Sequence, residues 1–495
     1  MELEQAHELL ESITFGKVAA ERDANLMDWF VSTLAFKRVT GGDISLVLGE
    51  KGTGKTAIYR VLVENQGFIE GLEEDIMVPT SDIQGISDFG ELLSIAKGAS
   101  ENYRQLWKLY FTIILGRALL KRSEVSNINV SRLRGLLHDS GLLPPSTISR
   151  LGQWLAGIVS RVKVGVVYHD IPVSLGIDLQ SNDVLSEKPL DVWEVLSEEQ
   201  SILTSVSKKA WILIDRLDEL YSGMPDMTER RERALQGLMA ALLDFDEFSN
   251  IKVVVFLRSD IYKRLSFTNK DHLSDRNVTI DWDINDLKLL IARRVATSEM
   301  IRTWLQVEEG APKIGIREAE TVLNALLARE REDIPSTKIE AIIDILRNSR
   351  GEVTPRDLIY LFSETRSLQL EDIWRGIFNA SNPLLPTEMV KEAFKIISKD
   401  KVNDFVLGEF PEVQGIITQL EGRRSARFSR TSLEDILRIA TNKSVDEILV
   451  TLYEIGIFRP LDSSFVQRAR KFEIPILYRP ALGLPYSAEM AQLLD

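Results

Sequence analysis

Eight residues, Gly49-Glu-Lys-Gly-Thr-Gly-Lys55-Thr56, constrain this chain more than anything else in it. They match G-x-x-x-x-G-K-[ST] in full, and they stand where that pattern has a physical meaning. A short apolar run, Ile44 to Leu48, precedes them and a helical stretch, about Thr56 to Asn65, follows. Gly49, Gly52 and Gly54 let the backbone curl until successive N–H groups face inward on phosphate oxygens. The helix that begins near Lys55 adds the positive end of its dipole to the same anion. Lys55 supplies a point charge for the β- and γ-phosphates, and Thr56 a hydroxyl ligand for Mg2+. Lys51, Thr53 and Ala57 complete the expected nucleotide-contact set.

A magnesium-dependent nucleotide site needs a carboxylate at the end of a neighbouring strand. Trp211-Ile-Leu-Ile-Asp215 offers one, with Asp215 expected to hold Mg2+ through water. The next residue, where many ATPases carry the water-activating acid, is Arg216. The expected base is therefore Asp218 or Glu219, against the plainer reading that both are acids favoured by a helix start. Ile251 to Leu257 is a second buried-strand candidate ending in Arg258, which reads either as a γ-phosphate sensor or as an ion-pair partner of Asp260 or Asp215. Arg356, in Thr354-Pro-Arg-Asp357 at a helix start, is a second sensor candidate or a surface arginine.

Strand candidates (44–48, 75–79, 211–214, 252–257) alternate with helical stretches (56–65, 103–121, 190–208, 228–245), which predicts an α/β fold with a covered parallel sheet. Residues 1–36 have apolar positions at helical spacing, broken at Gly16. Between 122 and 190 the pattern changes, and two alternating runs (162–168 and 171–177) separated by His169-Asp170 predict a β-hairpin within an insertion. From Asn285 the pattern is helical to about Ala380, and Asn382-Pro-Leu-Leu-Pro386 marks a boundary. Beyond it, helices 433–440 and 445–455 and β-like runs at 465–466 and 472–477 fit a winged helix. The expected domains are thus a helical segment 1–38, a P-loop core 39–298, a helical lid 299–381 and a winged-helix-like domain 382–495.

The absence of cysteine excludes disulfides, thiolate catalysis, iron–sulfur clusters and cysteine-ligated zinc, and the four scattered histidines make a histidine-bridged metal an unsuited expectation. A net charge of −14 repels nucleic acid globally. Any DNA contact would need a local patch, for which Arg423, Arg424, Arg427 and Arg430 are candidates. Asp446, Glu447 and Glu454 on the second helix of that module oppose it, so a protein-facing role is preferred and DNA contact stays open. The acidic amino terminus is unlike a secretory signal and no stretch spans a bilayer, which predicts a cytoplasmic protein with no membrane contact.

The segments Gly49–Thr56, Ile212–Glu219, Phe256–Asp260 and Thr354–Ile359 together resemble the STAND or origin-recognition-type members of the AAA+-like P-loop ATPases. Phe15-Gly16 and Ala20-Glu21 resemble the amino-terminal box that packs near the adenine in such proteins. The resemblance implies ATP rather than GTP, a three-layer P-loop core with parallel sheet, an all-α lid and a C-terminal winged helix. It also implies a nucleotide-driven conformational switch, often coupled to self-assembly into an oligomer, and a link to bacterial antiviral defence. Two further readings stay open: a non-catalytic, nucleotide-bound scaffold recruiting an effector protein, and a DNA-loading ATPase. Arg276 is the candidate for a trans-acting arginine, and Arg216 departs from the family pattern.

Overall fold

The structure, a computed structural model, describes residues 2–80, 100–122, 128–139, 165–168, 171–174, 192–217, 228–267, 269–327, 338–377, 383–440 and 444–494. Contacts divide the chain into two compact units. One comprises residues 34–50 and 55–280, and the other comprises 1–33, 51–54 and 281–495.

The first unit is built on a parallel sheet. Its strands are β1 (Leu46–Gly49), β2 (Ile76–Pro79), β5 (Ala210–Ile214), β6 (Ile251–Arg258) and β7 (Asn277–Thr279), ordered β2-β5-β6-β1-β7. Side chains alternate between two covered faces. Leu46, Leu48, Ile212, Ile214, Val253 and Val255 join the core formed with helices Ser100–Leu120, Val192–Ser205 and Thr228–Asp244. On the opposite face Phe256 meets Tyr59 of helix Lys55–Glu64 edge-on, with ring centres 6.0 Å apart. Burial on both faces explains why these strands read as unbroken apolar runs. The fold is therefore α/β, a helix–sheet–helix P-loop core as expected from the sequence. The chain also contains an antiparallel hairpin, β3 (Gly165–Tyr168) with β4 (Ile171–Ser174), paired Tyr168 to Ile171. The outer ends of the two predicted runs, 162–164 and 175–177, lie outside the described residues.

The second unit has its own apolar core, shared by helices Leu3–Ser12, Ile284–Val295, Ile316–Leu327, Ile339–Ile345, Pro355–Trp374 and Thr387–Asp400 and by the C-terminal elements. Among those are helices Arg430–Ala440 and Val445–Ile455, the latter opened by a reciprocal Ser444–Glu447 capping box. Strands β8 (Arg427–Ser429), β9 (Arg459–Pro460) and β10 (Lys471–Glu473) form an antiparallel sheet ordered β8-β10-β9.

Three local expectations are corrected. The helical spacing of Leu26 and Trp29 belongs to a 3-10 turn, Leu26–Trp29, because an i, i+3 pair shares a face in either helix type. Phe465 and Val466 are not a strand; Val466–Arg468 is a 3-10 turn. The run 472–477 is extended only to Glu473, since Pro475 is followed by the 3-10 turn Ile476–Tyr478. Among the described residues no helix is long and apolar enough to cross a membrane.

Candidate functional site

In the sheet unit, the phosphate loop leaves the C-terminal end of β1 at Gly49. Its register partner on β6 is Arg258, so the predicted sensor arginine stands beside the first loop glycine. Asp215 follows β5, which pairs with β6 on the far side from β1. The acidic strand is thus a neighbour once removed, with Arg258's strand between it and the loop. Asp215 is buried at the strand end. The chain then turns sharply, because Arg216 adopts φ +61°, a left-handed conformation that a non-glycine residue seldom takes. Leu217 returns to the core. Asp218 and Glu219 lie outside the described residues.

Arg258 forms an ion pair with Asp260, Nε at 3.1 Å and Nη2 at 3.0 Å from its two carboxylate oxygens. Burial pushes the Asp260 carboxyl up, but the Arg258 charge and hydrogen bonds outweigh it and hold the group below the ordinary carboxylate range. The ion-pair alternative for Arg258 is therefore present. Lys55, first residue of its helix, donates to the carbonyls of Gly49 at 2.9 Å and Glu50 at 2.8 Å, which fixes its ammonium within the curl of the loop. Thr56 and Ala57 follow in the first turn of that helix. Arg276 lies at the other end of the sheet, at the start of β7, in an ion pair with Asp246. It is not brought to the loop of its own chain.

The central loop residues Lys51–Gly54 group with the second unit. Gly52 and Gly54 take φ +90° and +101°, the left-handed values that a curled amide cradle requires. Gly52 also has no room for a side chain. A Cβ there would lie 2.9 Å from Cβ and 3.2 Å from Cδ of Arg356. Arg356 is placed by the helix Pro355–Trp374, which Thr354 caps by accepting from the Asp357 N–H. Its Nε is buried without a hydrogen-bond partner, so a charged group with donor capacity to spare lies against the loop. The helix start is anchored further by Asp357, which pairs with Lys401 at 2.7 Å.

Two loop contacts were missed by sequence reasoning. Lys51 forms an ion pair with Glu409, and Trp282 donates from its indole Nε1 to the Thr53 carbonyl at 2.8 Å. No motif marks either partner.

The Phe15-Gly16 segment packs within the second unit. Phe15 meets Phe362 at 5.6 Å between ring centres, and its carbonyl accepts from Arg294. Arg294 is buried, stacks 4.5 Å from the Trp29 ring and pairs with Asp23 at 3.1 Å. Asp23 also accepts from the Trp29 indole at 3.0 Å. Gly16, φ +68°, is pressed against Trp29 and Arg294.

Of the four candidate arginines for a DNA contact, Arg427 and Arg430 are engaged in ion pairs within the chain. Arg427 pairs with the buried Glu473, which Arg459 and Arg479 also approach, and together the three hold its carboxyl low despite burial. Arg430 pairs with Glu434 and Asp446. Arg423 is exposed and donates to the Gln419 carbonyl; Arg424 is exposed. Among the described residues no group of three or more acidic or histidine side chains is arranged to hold a metal by itself.

No family model matches the chain, and no curated protein matches it. Solved structures do. The Aeropyrum pernix ORC1 protein in complex with DNA is similar at 11% identity over 94% of this chain and 96% of that one, with a TM-score of 0.34. Cdc6p from Pyrobaculum aerophilum is similar at 12% identity over 91% and 88%, TM-score 0.26. The Aeropyrum pernix ORC2 protein in its ADPNP–ADP complexes is similar at 11% identity over 92% of both chains, TM-score 0.26.

Proposed function

We propose that the chain is an ATP-binding and ATP-hydrolysing P-loop ATPase that works as a nucleotide-driven conformational switch. The observation that carries this reading is the curl of Gly49–Thr56 at a helix N-terminus, kept open by left-handed glycines at 52 and 54. The residues present suit Mg-ATP. Loop amides and Lys55 would receive the β- and γ-phosphates, and Thr56 and Asp215 would hold Mg2+. When bound, the ion neutralises charge on the transferred phosphoryl group. Arg356, with Nε to spare, would register the γ-phosphate, and Arg258 would do so only by giving up part of its pairing with Asp260. The base is Asp218 or Glu219. In this reading helices Arg430–Ala440 and Val445–Ile455 with strands β8, β9 and β10 form a winged helix, and the helical residues 299–381 form a lid.

Lys55→Ala should abolish heat of binding with Mg-ATP in calorimetry; a variant that binds like the parent overturns the assignment. Steady phosphate release by the parent protein favours the switch, whereas binding without turnover favours a nucleotide-bound scaffold. The engagement of Arg427 and Arg430 puts a protein-facing role for the C-terminal module ahead of DNA loading. Neutralising Arg423 and Arg424 together should leave duplex-DNA retention at low salt unchanged. A drop of about 2 in the log–log salt slope, roughly 0.9 per phosphate contact, would restore the DNA reading.

A further inference from the structure

The Thr53–Gly54 peptide ends on a glycine with left-handed φ, Gly54 at +101°, so on that side the loop's own backbone offers little resistance to a flip of the plane. Its carbonyl is nevertheless fixed, by the N–H of Trp282 at 2.8 Å. The indole is carried on a rigid frame. Trp282 precedes the helix Ile284–Val295, which Asp283 caps by accepting from the N–H groups of Asn285 and Asp286. The Trp282 backbone N–H donates to Asp281, and its ring packs on the helical core. In a trans peptide the carbonyl and the following N–H point in opposite directions, and no cis bond occurs among the described residues. Holding the Thr53 carbonyl on the indole therefore turns the Gly54 N–H away from it, to the other side of the loop.

We propose that Trp282 is a positioning residue of the phosphate loop, whose indole N–H locks the 53–54 peptide in the one orientation that offers the Gly54 amide to a polyphosphate. The inference rests on the nucleotide reading above. Trp282→Phe keeps an aromatic ring against the core and removes the donor, and an adenosine control separates the lost hydrogen bond from the smaller ring. It should raise the Kd of Mg-ADP and Mg-ATP alike by about three- to tenfold, the equivalent of one hydrogen bond. Adenosine, which has no phosphate, should bind the variant and the parent equally. A second measurement needs no folded variant: in the parent protein, the indole N–H resonance of Trp282 should move on addition of Mg-ADP and stay in place with adenosine. Unchanged nucleotide affinity in the variant, equal weakening of adenosine, or an indole resonance indifferent to Mg-ADP overturns the proposal. A parent protein that binds no Mg-nucleotide overturns the nucleotide reading itself.

Discussion

Glu199 offers a quantitative test of how the sheet unit is packed. It lies on the helix Val192–Ser205, fully buried, with its carboxylate against Gly116 of the helix Ser100–Leu120. The fit is close enough that a Cβ on Gly116 would stand 2.8 Å from Oε1. Burial pushes the Glu199 carboxyl well above its ordinary value near 4.5, offset only in part by the Gly116 backbone. The adjacent Glu198 instead meets Arg132 at 3.4 Å. Because the folded-state pKa is raised, the contribution of Glu199 is fully favourable below pH 4.5. It is lost as pH rises toward the folded value: above 4.5 the unfolded chain gives up a proton that the folded chain retains. One such proton costs about 1.4 kcal/mol of stability per pH unit in that window. Glu199→Gln has no proton to lose. Its stability relative to the parent should therefore rise by about 1.4 kcal/mol for each unit above pH 4.5 and level off beyond the folded pKa. Urea denaturation of both proteins at pH 4.0, 5.5 and 6.5 measures the difference. Parallel stability curves across that range would show that Glu199 is solvated or paired, and would refute the argument.

Two further substitutions probe the second unit and the loop. Asp23→Ala leaves the Arg294 charge buried with only the Phe15 carbonyl and the Trp29 face, and should cost about 3–5 kcal/mol in urea denaturation, with Asp23→Asn costing less. Gly52→Ala forces a side chain into a left-handed residue and against Arg356. It should cost about 1–2 kcal/mol at the loop and weaken Mg-ATP binding about tenfold or more in calorimetry, while far-ultraviolet circular dichroism stays that of the parent.

The sheet was legible because its strands are buried on both faces. Runs such as 211–214 and 252–257 admit few other readings once a glycine-rich loop and a helix follow β1. β7 escaped notice because Asn277–Thr279 is a three-residue edge strand with only Val278 buried, too short for a periodic signal. β8 is as short and β9 is shorter, with two residues. Leu26 and Trp29 misled because their spacing does not separate an α-helix from a 3-10 turn, and what fixes that segment is Arg294, far along the chain. In the candidate site, the positions of the glycine-rich loop and of Asp215 at strand ends could be read from local pattern. The partners that hold the loop, Trp282 and Glu409, could not, since each is a single contact between residues hundreds of positions apart. Arg258 shows the opposite limit: its position at a strand end was legible, but the choice of Asp260 as its partner needed coordinates.

The strand order also carries a consequence for how this protein is made. β1, at residues 46–49, leaves the ribosome ahead of both of its neighbours, β6 and β7, which are encoded between residues 251 and 279. Until that stretch has been synthesised the backbone edges of β1 have no lateral partner, so the loop it carries cannot take its shape before then. Acquisition of the site is then a late, non-local event, slow by the measure of contact order, and the nascent chain displays an unpaired apolar edge that chaperones would be expected to shield.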